Sequence, residues 1–490
     1  MKRLRQKKMT HDIKYSQLEE NINQAMQYAL SLGIDYADIR FKDIATETLT
    51  VINGELTTSL NNRSRGYGIR VYKDGVMGFA ANSDLNNLHE TVNEAVKIAK
   101  ASLTSQTNKV YMTAKKTVID FYTTPYDIDP FTVPLTKKIA LLMECDCIMH
   151  STQGVSHRFS SMQFRKEIVF FADTDGSFIE QRFYQSAAWL KVFAASKMGN
   201  QKRSYNSVLQ AGYESILTSK LPIEALRIAK EVVELSKAPV CPSGVFDIIL
   251  APSQLFMQIH ESIGHPTEID QILINDPTYV NQSFLDLNDL DRGLIIGSEH
   301  VTIVADATCP TGLGTFAYDD EGTPGQCITL INKGVFTGFQ TTRDTAHAIN
   351  QTSSGTGRSD SWHNIPIARM TNINLLPGNE TLDDLLSGIE YGFLLDENRK
   401  FDIDDSRINF KFTCEIAYEI KNGKLTGHIY KNPTYSGKTI DLWKSCDGVA
   451  DLEHWKIIGA INCGKGSPMQ LMRISHGSSP ARFRNVRIGD

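Results

Sequence analysis

The sequence lacks the features that mark several classes of protein. No stretch approaches the roughly 18 uninterrupted apolar residues of a membrane-spanning helix. There is no excess of positive charge, because 51 Lys and Arg residues stand against 56 Asp and Glu residues, which gives a net charge of −5. We therefore expect neither a membrane protein nor an electrostatic nucleic-acid binder.

The eight cysteines are scattered through the chain and include no C-x-x-C pair. This usage does not form a disulfide framework and is typical of a reducing compartment, where a thiolate is free to bind a metal. The basic start of the chain has no apolar segment behind it, so we expect no secretory signal peptide and interpret residues 1–15 as a tail. The predicted location is the cytoplasm.

The pattern of elements predicts an α+β protein in two parts. The first part, residues 16–238, is expected to be a mixed α/β domain with amphipathic helices near 16–32, 84–103, 134–149 and 222–237. Its hairpins are marked by turn dipeptides between alternating apolar runs, at Asn53-Gly54, Asp74-Gly75 and Asp175-Gly176.

The second part is expected to be rich in antiparallel β-structure. Residues 239–244 (PVCPSG) break the preceding helix and indicate a linker. Residues 245–490 then contain strand patterns at 245–250 and 408–420, and Asn422-Gly423 turns the second of these into a further strand.

One helix of the second part carries the candidate chemistry. Residues 252–264 (PSQLFMQIHESIG) place His260 and Glu261 among apolar side chains at helical spacing. Zinc peptidases commonly use H-E-x-x-H, whereas His260 and His265 are one residue further apart. On an ideal helix, residues so spaced point about 140° apart. A left-handed Gly264 would swing His265 back, so we predict that the helix stops or distorts at this glycine.

A catalytic zinc site needs a third protein ligand and a fourth position left for water. Residues with suitable chemistry are Glu268, His300, His347, Cys309 and Cys463, and spacing does not rank them. For any one of these histidines or cysteines alone, a structural role in the core is the commoner case. The joint pattern of His260, Glu261 and His265 is what favours a metal.

Several blocks of the sequence resemble one known family. HESIGHPTEID at 260–270 is similar to the active-site helix of the TldD/PmbA family, specifically of its TldD-type catalytic subunits. Four further blocks resemble the family in the same order: SRGYGIRVYKDGVMGFAAN at 64–82, YDDEGTPGQCITLINKGVFTGF at 318–339, IARMTNINLLPG at 367–378 and INCGKGSPMQLMRISHG at 461–477. The segment 271–290 follows the family pattern poorly.

The resemblance implies a zinc metallopeptidase in which Cys463 joins His260 and His265 as the third metal ligand. Glu261 is then the general base that takes a proton from the attacking water. The implied substrates are oligopeptides and unfolded or small proteins. The implied partner is a PmbA-type paralogous subunit or a second copy of this chain, in a dimer.

Two other interpretations stay open. The chain could be a non-catalytic peptide-binding or scaffolding subunit in which zinc is structural. It could also be a hydrolase that acts on amides other than peptides. A filled fourth protein ligand would favour the first, and a cleft too short for an extended chain would favour the second.

Residues next to the motif are candidates for orienting it. Glu268 and Asp270 follow His265 closely and are expected to orient a ligating imidazole, with a solvated loop as the alternative.

Substrate-binding candidates come from two glycine-containing segments and two arginines. Backbone groups around Gly322, Thr323, Gly464 and Gly466 are expected to line a cleft in which a peptide adds as a strand. Arg369 and Arg358 are candidates for binding a peptide carboxylate, although a surface ion pair is the commoner role for an arginine.

Overall fold

The computed structural model describes residues 13–103, 109–197, 199–273 and 283–489. The helices are α1 Ile13–Ser31, α2 Leu88–Ser102, α3 Leu135–His150, α4 Glu214–Thr218, α5 Leu221–Lys237, α6 Pro252–Ile259, α7 Asp270–Leu273, α8 Asp289–Arg292, α9 Arg343–Ala348, α10 Leu382–Ser387 and α11 Thr439–Lys444. The strands of the N-terminal half are β1 Tyr36–Ile52, β2 Glu55–Lys73, β3 Val76–Asn82, β4 Ile119–Thr123, β5 Val155–Asp173, β6 Phe178–Ala194 and β7 Gln201–Leu209.

The strands of the C-terminal half are shorter and more numerous. They are β8 Gly244–Leu250, β9 Ile303–Asp306, β10 Cys327–Asn332, β11 Val335–Phe336, β12 Gly357–Arg358, β13 Ile367–Ala368, β14 Ile373–Leu375, β15 Tyr391–Ile403, β16 Asn409–Lys421, β17 Lys424–Lys431, β18 Thr434–Lys438, β19 Cys446–Val449, β20 Lys456–Lys465, β21 Gln470–Ser478 and β22 Ala481–Ile488. The predicted α+β class is confirmed.

The N-terminal half is built on one large sheet. Its strands follow the order β3–β2–β1–β5–β6–β4, and β7 pairs with the later part of β6. Most pairs are antiparallel, because tight turns join consecutive strands. Asn53 and Gly54 have φ values of 50° and 85°, and Asp74 and Gly75 have values of 50° and 79°. Two positive φ values in a two-residue turn match the twist of the flanking strands, as the sequence predicted.

Amphipathic helices cover this sheet. α1 and α2 pack on the β1–β2–β3 end through a core that contains Ile22 and Val92. α3 and α5 pack against β5 and β6 through a second core that contains Leu142 and Ile228. These four helices were predicted from periodicity, and they are confirmed with small shifts at their ends.

The C-terminal half contains a small barrel. Its strands pair in the order β15–β8–β22–β18–β16, and pairing between β15 and β16 closes the ring. The pairs are antiparallel as predicted, except that β8 and β15 run parallel. β8 leads directly into α6, whose residues Leu255 and Ile259 are fully buried in the main core of this half. α6 therefore carries the candidate motif on a rigid support.

Charged side chains join the two halves. Arg203 of β7 lies 2.9 Å from Asp396 and 3.1 Å from Glu415 of the barrel. Arg70 of β2 lies 2.7 Å from Glu321, on the segment that precedes β10. Because both arginines and Glu415 are buried, these ion pairs belong to a packed interface between the two halves.

Some predictions fall where the structure gives no test. The predicted tail at 1–15 lies largely outside the described residues, and α1 begins within it. Residues 274–282 of the divergent segment also lie outside them. The domain limits at 16–238 and 245–490 stay predictions. Among the described residues, we find no helix with the length and apolar character needed to cross a membrane.

Candidate metal centre

The helix that carries the motif changes its winding at His260. α6 ends at Ile259 and continues as a π-helical turn over His260–Gly264, in which the His265 amide donates to the His260 carbonyl at 3.1 Å. A bond between residues five apart is the signature of π winding, and such turns occur mostly at functional sites. The predicted distortion is confirmed, and it brings residues five apart onto one side of the chain.

The expected form of the distortion was wrong. His265 keeps right-handed helical angles (φ −64°, ψ −45°), and Gly264 is not among the glycines with positive φ. The glycine is needed for space instead, because a Cβ atom at Gly264 would lie 2.3 Å from Sδ of Met370. Packing against a neighbouring segment, not a left-handed turn, explains this residue.

Three side chains predicted as metal ligands meet at this turn. Sγ of Cys463 lies 3.4 Å from Nε2 of His260 and 3.7 Å from Nε2 of His265, and one donor atom from each residue falls within 4.8 Å of the others. All three residues are buried. Among the described residues, the other third-ligand candidates do not join this donor group; they are Glu268, His300, His347 and Cys309.

Cys463 reaches the histidines from the hairpin of β20 and β21. The register of this hairpin shifts between Ala460 and Cys463, which is the mark of a bulge. Bulges re-aim side chains next to functional sites. Arg369 then fixes the cysteine, since Nη2 of its guanidinium donates to the Cys463 carbonyl at 2.6 Å and to Sγ at 3.1 Å.

The charge state of Cys463 follows from its surroundings. Burial alone would raise the pKa of the thiol, but the neighbouring His265 ring and Arg369 guanidinium outweigh it, so the pKa is lowered. The thiolate form is thereby favoured. Burial lowers the pKa of His260 and favours its neutral form. A thiolate and a neutral imidazole are the forms of these side chains that bind metals.

A third histidine orients His260. Nε2 of His476 lies 2.8 Å from Nδ1 of His260. Nδ1 of His476 lies 3.1 Å from the Ile373 carbonyl oxygen and 3.3 Å from the Ile373 amide. We assign the proton to Nδ1, because the contact with the carbonyl oxygen is the shorter of the two. With this tautomer, Nε2 of His476 accepts a hydrogen bond from Nδ1–H of His260, and the lone pair of His260 Nε2 faces Cys463.

Glu268 orients His265 in the same way. One of its carboxylate oxygens lies 2.8 Å from Nδ1 of His265, and the other accepts from the Met370 amide at 3.1 Å. Burial would raise the pKa of Glu268, but nearby positive groups, led by Lys465, hold it well below its usual range. The carboxylate is therefore charged, and it directs Nε2 of His265 toward Cys463.

The other predicted orienting residue, Asp270, lies one contact further away. Its carboxylate accepts from Lys465 at 2.5 Å, and the same ammonium group lies 3.4 Å from Glu268. Burial raises the pKa of Asp270, and Lys465 opposes that shift. Both acids are buried, so neither belongs to a solvated loop.

Glu261, the predicted general base, is held by Arg407. Nη1 of Arg407 donates to one carboxylate oxygen of Glu261 and, at 3.3 Å, to its main-chain carbonyl. Burial would raise the pKa of Glu261, but the nearby His260 and His265 rings and the guanidinium of Arg407 outweigh it and lower the pKa. The carboxylate is thus ionised and able to accept a proton.

These residues line a cavity of about 350 Å³. The triad, Glu261 and Arg407 are among the lining residues, together with apolar side chains that include Phe256 and Phe401. Gly464, one of the residues predicted to bind substrate, also lines the cavity.

The other predicted substrate-binding residues lie elsewhere. Gly322 packs against the Phe171 ring of the N-terminal sheet, and the neighbouring Thr323 amide donates to Asp319. Gly466 forms the turn between β20 and β21 with φ of 93°. Arg369 is fully buried on Cys463, so it forms no surface ion pair.

Arg407 and His476 were missed as functional residues in the sequence. Arg407 follows Asp404, Asp405 and Ser406 in what reads as an ordinary turn between strands. His476 ends a strand pattern with no partner nearby in the chain. Only the fold brings these residues to His260 and Glu261, which are 216 and 146 positions away.

Comparison with protein families gives matches over most of the chain. Residues 37–99 match PmbA/TldA metallopeptidase domain 1, and residues 128–238 match the central domain of that family. Residues 243–489 match the PmbA/TldA metallopeptidase C-terminal domain. The whole candidate site lies within the last match.

Individual proteins are similar over nearly their whole length. A metalloprotease of Methanocaldococcus jannaschii is 30% identical over 87% of this chain and 92% of that protein. A zinc metalloprotease TldD homolog of Saccharolobus solfataricus is 23% identical over 94% of this chain and 98% of that protein. The structure of TldE from Thermococcus kodakarensis has a TM-score of 0.72 at 15% identity, over 96% of this chain and 100% of that one, a likeness that shows the fold.

Proposed function

Since the chain belongs to the PmbA/TldD metallopeptidase family, we propose that it is a zinc-dependent peptidase of oligopeptides and unfolded or small proteins. His260, His265 and Cys463 hold the metal, and Glu261 is the general base. The observation that carries the proposal is the meeting of these three donors beside an ionised carboxylate in one buried cavity.

The donor set fits zinc. In a tetrahedral site with Zn–N near 2.0–2.1 Å and Zn–S near 2.3 Å, a nitrogen and a sulfur ligand lie about 3.6 Å apart. The observed separations of Cys463 Sγ from the two Nε2 atoms, 3.4 and 3.7 Å, lie on either side of that value. Both imidazoles direct Nε2 inward because His476 and Glu268 bind their Nδ1 atoms.

The number of donors supports a catalytic site over a structural one. A structural zinc site is closed by four protein ligands, whereas a catalytic site keeps one position for water. Among the described residues, only His260, His265 and Cys463 form the donor group. When bound, zinc supplies Lewis acidity, which activates water and polarises a carbonyl.

The residues of the chain supply the proton transfers. Glu261 lies beside the metal ligand His260 on the same turn, and its carboxylate is ionised. It takes a proton from the attacking water and delivers it to the nitrogen of the leaving amine. Phe256, Met257 and Ile403 also line the cavity, and their apolar surface favours apolar substrate side chains.

A second subunit is part of the proposal. The solved neighbour TldE belongs to the same fold, and we expect this chain to pair with a PmbA-type paralogue or with a second copy of itself. The eight free cysteines support work in the reducing cytoplasm. Light scattering of the purified chain, alone and with the paralogue, measures which pairing forms.

The test combines metal analysis with peptide cleavage. We expect about one zinc per chain in the wild type and in Glu261→Gln, with cleavage of a peptide library reduced at least about 100-fold in the variant. The control is Glu453→Gln, which changes an exposed glutamate far from the motif in the sequence. If Glu261→Gln cleaves peptides at the wild-type rate, Glu261 is not the general base. Hydrolysis of small amides without peptide cleavage would instead favour a non-peptide amide hydrolase.

A further inference from the structure

Arg407 occupies a backbone conformation that needs an explanation. It lies in the turn between β15 and β16 with φ of 59°, a left-handed angle that is uncommon for residues other than glycine. The turn is held firmly, because Asp404 accepts hydrogen bonds from the amides of Ile408 and Asn409 at 2.8 and 3.0 Å. Thr439 also donates to the Arg407 carbonyl at 2.7 Å. Non-glycine residues in such conformations cluster at active sites.

In this backbone conformation, the guanidinium of Arg407 contacts Glu261, the proposed general base. Arg407 is 4% exposed, and its Nη1 donates to Oε2 and to the main-chain carbonyl of Glu261. No described residue forms a hydrogen bond with Nη2 of Arg407 or with Oε1 of Glu261. Neither atom is among the buried polar atoms that lack a partner, whereas Nε of Arg407 is. Both residues line the cavity of the metal triad. The pair thus leaves one donor and one acceptor for substrate.

We propose that Arg407 is a catalytic residue whose Nη2 binds the carbonyl oxygen of the scissile bond, while its Nη1 holds Glu261 in place. This inference rests on the proposed peptidase function. A guanidinium suits the task because its donors lie in one rigid plane, so a single side chain can bind the base and the substrate together. Negative charge that develops on the carbonyl oxygen is then met by a positive group that is already in position.

In the proposed reaction, water adds to the peptide carbonyl, and Glu261 carries one proton from the water to the leaving amine. The water oxygen forms a bond to the carbonyl carbon, and one O–H proton moves to Oε1 of Glu261. The π electrons of the carbonyl move onto its oxygen, which becomes the oxyanion beside Nη2 of Arg407. The carbonyl re-forms as the C–N bond breaks, and Glu261 returns the proton to the leaving nitrogen. No other reactant is needed.

Two variants separate this role from a structural one. Arg407→Gln removes the charge, and Arg407→Lys keeps a charge for Glu261 but has no second planar donor. For zinc-loaded protein, we expect kcat to fall about 100- to 1,000-fold in Arg407→Gln and at least about 10-fold in Arg407→Lys, with KM changed less than about threefold. Binding of a phosphinic peptide, which carries an anionic oxygen at the carbonyl position, should weaken in parallel. The control is Arg292→Gln, whose side chain is 70% exposed.

Zinc content, kcat and phosphinic peptide binding together distinguish the possible results. Zinc content equal to wild type with the losses above supports the role of Arg407, and partial rescue of Arg407→Gln by added guanidinium ion would support it further. Wild-type kcat in folded Arg407→Lys, or unchanged phosphinic peptide binding in either variant, overturns it. If the zinc-loaded wild type cleaves no peptide, the peptidase function itself fails, and the role of Arg407 fails with it.

Discussion

His260 and His476 form a hydrogen bond of 2.8 Å between their imidazole rings, although 216 residues separate them in the chain. Nδ1 of His476 in turn lies 3.1 Å from the Ile373 carbonyl oxygen, and we place the proton of His476 on this nitrogen. This chain of contacts decides which nitrogen of His260 faces Cys463. A residue outside the proposed ligand set therefore prepares the geometry of the site.

The first prediction concerns this contact. In His476→Ala the buried Nδ1 of His260 loses its acceptor, so the imidazole is free to rotate or to change tautomer. We expect zinc affinity to fall about 10- to 100-fold, the usual effect of removing a residue that orients a ligand. Competition with a chromophoric chelator measures the affinity directly. The control His428→Ala removes an exposed histidine of β17, and an equal loss in both variants would contradict the assigned role.

The second prediction concerns Gly264. An alanine Cβ at this position meets Sδ of the fully buried Met370. Gly264→Ala should therefore lower stability by about 1–3 kcal/mol, as overpacking does, and it should also weaken zinc binding because the turn carries both histidines. Urea unfolding measures the first effect. Adding Met370→Ala should restore part of the zinc affinity.

Two outcomes would contradict this explanation of Gly264. One is a Gly264→Ala protein as stable as the wild type. The other is a double variant with no recovery of zinc binding. Gly437→Ala is the matched control, because a Cβ there meets nothing closer than Phe410 at 3.7 Å.

Local signals in the sequence predicted much of the fold. Helical periodicity identified α2 and α5, and the Asn53-Gly54 dipeptide placed a hairpin turn, because each depends on residues close together in the chain. The pairing of β15 with both β8 and β16, which closes the barrel, had no such signal. Strand partners are chosen by tertiary packing, and a local pattern does not reveal them.

The candidate site likewise contains features that the local sequence indicated and features that only the fold reveals. The spacing of His260 and His265 indicated a distortion but not its π form. The reason for a glycine at position 264 was also hidden, because it is Met370, distant in the sequence, that leaves no room for a Cβ atom there. The roles of Cys463 and Glu261 as metal ligand and base stay predictions. Arg407 and His476 could not be found by spacing, because the fold alone brings them to the motif.

The third prediction concerns Glu268. Glu268→Ala would leave Lys465 and Arg369 buried without this carboxylate, and His265 without its acceptor. Removing one partner from a buried ion pair typically lowers stability by about 3–5 kcal/mol, so the midpoint of urea unfolding should fall sharply. Glu268→Gln keeps an acceptor for His265, so its stability should fall less than that of Glu268→Ala. An exposed substitution, Glu390→Ala, is the control, and a Glu268→Ala protein as stable as that control would refute the assignment.

The last prediction concerns the contact between the two halves. Arg203 is 1% exposed and lies between Glu231, Asp396 and Glu415 at 2.8, 2.9 and 3.1 Å. Arg203→Ala would remove the cation that these three carboxylates share, leaving Glu415 with Lys202 and Glu231 with Arg227 but taking the guanidinium away from Asp396. We expect the free energy of unfolding to fall by about 3–5 kcal/mol. Tryptophan fluorescence during urea unfolding measures the change.

Arg227 provides the matched control for Arg203. It also pairs with Glu231, but its side chain is 40% exposed, so Arg227→Ala should cost less than about 1 kcal/mol. Because Asp396 and Glu415 belong to the barrel, the loss in Arg203→Ala should also appear as earlier separation of the two halves. Faster proteolysis within 239–244 would reveal that separation. If the free energy of unfolding falls equally little in both variants, the buried ion pairs contribute no more to stability than surface pairs do. Apolar packing would then hold the two halves together.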